Sequence, residues 1–149
     1  MAFDEAADLV GSCEALLDTL GLLMGDIREE IQDRGDAWTI AQILNHLLDT
    51  ERQYVVRVRL MRRAKQPAMR VLPNADYTKL SALAAWSALY ELRREHVRLL
   101  RDLKPSEWSR SGTLVPGGRV TIRSLIRHLA AHDAVHVAQM SRRLSGRSG

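Results

Sequence analysis

Five histidines carry most of the chemistry this sequence can offer: His46, His96, His128, His132 and His136. Three of them recur every fourth residue in RHLAAHDAVHVAQM. Residues four apart on a helix are neighbours, with Cβ atoms roughly 5–6 Å apart, so two such imidazoles can reach one metal ion. At about 100° per residue, Ile122, Leu125, Ile126, Leu129 and Met140 form an inward stripe, with His136 near its centre and His132 within it. His128 falls at the edge of that stripe. The same count on an earlier amphipathic segment turns His46 inward, beside Ile43 and Thr50.

Burying several imidazoles without partners is costly, because each has a donor and an acceptor to satisfy. Coordination offsets that cost: neutral imidazole nitrogens bind Zn, Ni or Fe(II) at about 2.0–2.2 Å. Three ligands drawn from two helices leave a position for water or substrate, as catalytic metal sites do and closed structural ones do not. His46, His132 and His136 are therefore the predicted ligands of a divalent metal. A metal-bound imidazole needs a hydrogen bond to hold its tautomer, and Asp133, Thr50, Asp49 and Gln139 are spaced to provide one. Asp133 is also the candidate catalytic base. Asp49 and Glu51 read as ordinary polar helix residues. His96, set among Arg94, Glu95 and Arg98, reads as part of a solvated face with no role.

Four segments of helical period position these residues. The first runs from about Asp4 to Gln32, with Ala7, Val10, Leu16, Leu17, Leu20, Leu23 and Ile27 at apolar positions and Gly35 just past its stop. The second runs from Trp38 or Thr39 to about Ala64, where Gln66-Pro67 ends it. The third spans about Leu80 to Leu103, with Leu83, Trp86, Leu89, Tyr90, Val97 and Leu100 apolar and Pro105 at its end. Thr121 is the predicted N-cap of the fourth, which continues to about Leu144 before a Ser-Gly tail. Longer connections occupy residues 66–78 and 106–118, the latter hairpin-like at Pro116-Gly117-Gly118. No segment alternates with period two for long, so essentially no sheet is expected. The fold class is all-α: one domain over residues 1–149, a four-helix bundle with two longer connections.

Composition narrows the function classes. A chain of 149 residues suits one domain, and 46% apolar with 27% charged residues is a globular mix. Charges interrupt every apolar stretch, which argues against a membrane span. The acidic start MAFDEAADLV is unlike a secretory leader, and the lone Cys13 cannot form an internal disulfide, so a cytoplasmic setting is expected. The net charge of +4 comes from 22 basic residues, all arginine but Lys65, Lys79 and Lys104. Their clusters lie at helix C-termini, where the helix dipole favours cations whatever the function. With few aromatics for base stacking, nucleic acid is the least favoured partner.

WTIAQILNHLLDTE (Trp38 to Glu51), together with TIRSLIRHLAAHDAVHVAQM (Thr121 to Met140), resembles the DinB/YfiT-like superfamily. Its members pair a Trp-led helix carrying one His with a last helix carrying H-x-x-x-H and a following Gln. The likeness extends over nearly the whole chain. It implies an up-down-down-up bundle, a homodimer, and a metal site of His46, His132 and His136, with Zn, Ni or Fe as the ion and His128 no ligand. It also implies either S-transfer from a low-molecular-weight thiol or hydrolysis of a small molecule. Many members continue Arg-Gly-Gln after the last ligand, where this chain has Val137-Ala138-Gln139. An enzyme that activates a thiol or water at the metal is the leading function. Arginines such as Arg57 or Arg123 would hold the carboxylates of an acidic thiol. The other readings are a non-enzymatic dimerisation or interaction domain and an Arg-based nucleic-acid binder.

Overall fold

Thr39 opens the second helix with a reciprocal cap. Its hydroxyl accepts from the Gln42 N–H at 3.1 Å, and the Gln42 side chain accepts from the Thr39 N–H at 2.9 Å. Ser81 caps the third helix through the Ala84 N–H, and Thr121 caps the fourth through that of Ser124. Each cap satisfies a backbone donor that the first turn leaves open. The structure, a computed structural model, describes residues 4–25, 38–72 and 80–145. Its helices are α1 (Glu5–Gly25), α2 (Ile40–Arg63), α3 (Ala82–Asp102) and α4 (Ile122–Leu144). The expected continuation of the first helix to Gln32, its stop at Gly35 and most of the Ser-Gly tail lie outside the described residues. Among those residues, no helix is long and apolar enough to cross a membrane.

Polar contacts between the helices give their directions. Asn45, early in α2, donates to the carbonyl of Leu80 ahead of α3, while Arg62 near the end of α2 pairs with Asp102 at the end of α3. These two helices are parallel. Glu5, at the start of α1, pairs with Arg123 and Arg127 in the first turns of α4, so α1 and α4 are parallel as well. His46, early in α2, meets His132 and His136 late in α4, which sets the two pairs antiparallel. The result is the up-down-down-up bundle, with α1 and α2 packed on both α3 and α4.

Small strands in the two connections correct the expectation of essentially no sheet. β1 (Ala68–Arg70) runs parallel to β2 (Ser111–Val115), with Ala68 opposite Thr113. β2 forms an antiparallel hairpin with β3 (Gly118–Thr121), and Gly118 takes the turn at φ +94°. Strands this short cannot show alternation, and β1 finds its partner only across the whole of α3. At Gly112 in β2, a Cβ would lie 2.8 Å from the Met69 side chain and 3.0 Å from the Pro67 carbonyl, so the strap closes only over a glycine.

The core divides in two. Around Val58, Met61, Val97, Leu100, Trp108, Ile122 and Ile126 lies one apolar cluster; around Leu20, Ile43, Leu44, Leu89 and Met140 lies the other. Leu83, an apolar position in the third helical pattern, is instead 71% exposed in the first turn of α3, and Ala7 of α1 is exposed as well.

Candidate metal centre

His46 projects from α2, and His132 and His136 from successive turns of α4, towards one point. The Nε2 atoms of His46 and His132 are 2.9 Å apart, and those of His136 and His132 are 3.2 Å apart. One nitrogen from each ring can be chosen so that all three lie within 4.8 Å of one another. For comparison, two ligands on a tetrahedral zinc with bonds of about 2.1 Å sit ~3.4 Å apart. His136 donates from Nδ1 to the Gln139 side-chain oxygen at 2.8 Å, which leaves its Nε2 as a lone pair facing the other rings. Trp38 covers the cluster, edge-on to His46 at 5.1 Å and stacked over His136 at 6.2 Å between centroids.

Burial and the neighbouring imidazoles favour the neutral form of His46 and His132. Desolvation, then His136 and His46, pushes His132 down to about 4. Burial and then His136 lower His46, against the opposing charge of Asp49. Neutral rings are the form that ligates metal. A single proton shared among the converging Nε2 atoms cannot satisfy all three, and His132 Nδ1 is buried with no hydrogen-bond partner among the described residues. A divalent cation satisfies the three lone pairs together, so the donor set fits one. Half-buried rings on one side of the bundle leave an approach for a small molecule.

Beneath the trio lies a second polar group, which sequence reasoning missed. Arg93 of α3 is 1% exposed and donates to Glu51 of α2 at 2.7 and 2.8 Å and to Asp133 of α4 at 2.9 and 3.2 Å. It also donates to the Cys13 carbonyl of α1 at 2.9 Å, so one guanidinium ties all four helices together. His96 Nδ1 lies 2.7 Å from Glu51, and neither residue has any exposed surface. This corrects two readings: His96 is not on a solvated face, and Glu51 is not an ordinary surface residue. The signal was present, since Leu89, Arg93, His96, Val97 and Leu100 fall on one helical stripe. Glu51 is held down to about 2 although burial alone would raise it, because Arg93 and His96 favour its charged form.

Asp133, the candidate base, is buried, and both its oxygens are occupied by Arg93. Asp49 accepts from Gln53 at 2.8 Å. His128, which the wheel placed at the edge of the inward stripe, is exposed. Arg123 turns towards Glu5, whereas Arg57 is buried beside Tyr54. Burial pushes the Cys13 thiol up to about 12, so it is no nucleophile near neutral pH.

The family model described as the DinB superfamily matches residues 8–140, a span that includes all three converging histidines. The chain belongs to the DinB superfamily. A solved structure of the same fold is that of YfiT from Bacillus subtilis, described as a probable metal-dependent hydrolase with an unusual four-helix bundle topology. It aligns with a TM-score of 0.85 at 19% identity, over 99% of this chain and 91% of that one. Among sequence relatives, "Putative metal-dependent hydrolase OB0782" of Oceanobacillus iheyensis is 24% identical over 113 residues, 72% of this chain. The match spans 66% of that relative, just under two thirds of its length. His46, His132 and His136, all inside the matched span, are the rings that converge here.

Proposed function

We propose that this DinB-superfamily protein is a metal-dependent hydrolase of a small molecule, with His46, His132 and His136 holding one divalent ion. The convergence of three imidazoles from two helices on one point is the observation that carries this reading. The names of the related proteins lean the same way. A divalent metal bound there supplies Lewis acidity, which makes water a nucleophile near neutral pH. Gln139 fixes the His136 tautomer, and Trp38 shields one side of the cluster from solvent. Asp133 acts as a positioning residue: through Arg93 it locks α4 against α2 one residue from His132, so the rings of the two helices stay aligned.

Elemental analysis of the purified chain, reloaded with zinc, nickel or iron after chelation, tests the ligand set. One metal per chain in the parent, and none in His132→Ala or His136→Ala, is the expected result. Metal retained by both variants would overturn it. Chromogenic esters and amides, assayed with and without metal, then test hydrolysis; turnover is expected only from loaded parent protein. Turnover that instead requires an added thiol, read with a chromogenic electrophile, would replace hydrolysis by S-transfer at the same rings.

A further inference from the structure

Arg57 of α2 is only 9% exposed, yet no carboxylate pairs with it among the described residues. Its contacts are the Gln53 side-chain oxygen, which accepts from Nη2 at 3.1 Å, and the Tyr54 ring, whose centroid lies 5.4 Å from the guanidinium carbon. Arg93, which lies deeper, holds two carboxylates. A buried cation without a counter-charge costs free energy, and a guanidinium carries five N–H donors in a planar fork. One bond to a neutral amide and one ring face leave most of that fork to an acceptor from outside.

Arg57 lines a cavity of about 380 Å³ between α2 and β1, within the size range of small-molecule pockets. Its walls are apolar. Val56 and Leu72 remain 54% and 56% exposed there, and Leu60 and Met69 continue the surface. Arg52 and Arg70 stand at the rim, so three arginines face a single acid, Asp49. That aspartate is bonded to Gln53, which in turn accepts from Arg57, giving a ladder along one face of α2. The ladder starts one helical turn from His46, at Asp49. Arg57 lies eleven residues beyond His46, about 16 Å along the helix axis.

We propose that the α2–β1 groove binds a small carboxylic acid with an apolar body, its carboxylate held by the Arg57 fork. An exposed apolar wall ending at a largely buried guanidinium, with which no carboxylate pairs among the described residues, suits that combination, whereas a purely inorganic anion would leave the wall in water. If the acid is also the substrate, its far end extends along α2 towards the three imidazoles. That second part rests on the hydrolase reading; binding in the groove does not.

The test is calorimetric titration of the full, metal-free chain with hexanoate, phenylpropionate, phenylpropionamide and inorganic phosphate. Both acids are expected to bind, the amide at least about tenfold more weakly, and phosphate more weakly than either acid. Arg57→Gln loses the same factor, Arg57→Lys falls between, and His132→Ala binds the acids as the parent does. Amide binding equal to that of the acid overturns the proposal. So does phosphate as tight as the acids, undiminished binding by Arg57→Gln, or no acid binding by the parent. Acid binding that appears only with zinc and vanishes in His132→Ala places the carboxylate on the metal and overturns the groove. Should Arg57→Gln fail to fold, methyl shifts of Val56, Met69 and Leu72 in the parent decide the question: they move with added acid, or the groove is empty.

Discussion

His46 and Glu51 stand five residues apart on α2, and His132 and Asp133 are adjacent on α4, yet the two polar groups they belong to meet burial differently. Glu51, Arg93 and Asp133 answer one another's charges internally, with His96 on Glu51 and the Cys13 carbonyl on Arg93. The three imidazoles beside them turn ring nitrogens towards a common point, and no charged side chain among the described residues bonds to them there. The first group is complete as folded. The second, on the proposed function, is completed by a metal ion. A protein can thus place a demanding ligand-binding cluster inside a bundle when a self-sufficient ionic layer next to it holds the helices in register.

Removing the centre of the ionic layer tests that division most severely. Arg93→Met removes the guanidinium from two buried carboxylates, leaving His96 alone on Glu51 and no side-chain partner on Asp133 among the described residues, and is expected to cost about 3–5 kcal/mol in urea unfolding. His132→Ala in metal-free protein removes a half-exposed neutral ring and is expected to cost far less. Equal losses would break the distinction between the two layers. Zinc sharpens it next: at about a hundred times its dissociation constant it should stabilise the parent by roughly 2.7 kcal/mol. It should leave His46→Ala and His136→Ala unmoved, while a surface change such as Arg59→Ala keeps the full response.

Acid should separate the layers by pH. Burial lowers His46 and His132 below the imidazole value of 6.5, so the unfolded chain takes up protons first. The metal-free protein therefore loses stability as the pH falls from 6.5 towards about 4. Glu51, held near 2, adds stability above 4.5 that disappears between 4.5 and 2; Asp133, which burial raises against the pull of Arg93, works in the opposite direction. Replacing His132 by Ala should flatten only the upper step of a stability–pH curve. The smallest effect belongs to the exposed Arg59–Glu95 pair, where Arg59→Ala is expected to change stability by less than about 0.5 kcal/mol.

Much of the imidazole cluster was legible in the sequence because its information is local. Four-residue spacing joins His132 to His136, the helical wheel turns both inward, and the same count places His46 on the inward face beside Ile43 and Thr50. The ionic layer was harder to see, since Arg93, Glu51 and Asp133 come from three helices and nothing in the spacing of one names its partner on another. His96 was misjudged from its charged sequence neighbours, although its true neighbours are the residues three and four positions away. The sheet escaped for a related reason. β1 and β2 are too short to signal alone, and their pairing depends on the bundle bringing two distant connections together.

That pairing has a consequence for how such a protein diversifies. The three converging imidazoles sit on long rods whose geometry tolerates little change, whereas one wall of the α2–β1 groove is a three-residue ribbon in a connection. Insertions or exchanges in the ribbon can reshape what the groove accepts without disturbing the rods. Ligand choice and reactive chemistry are thereby free to evolve at different rates on one scaffold.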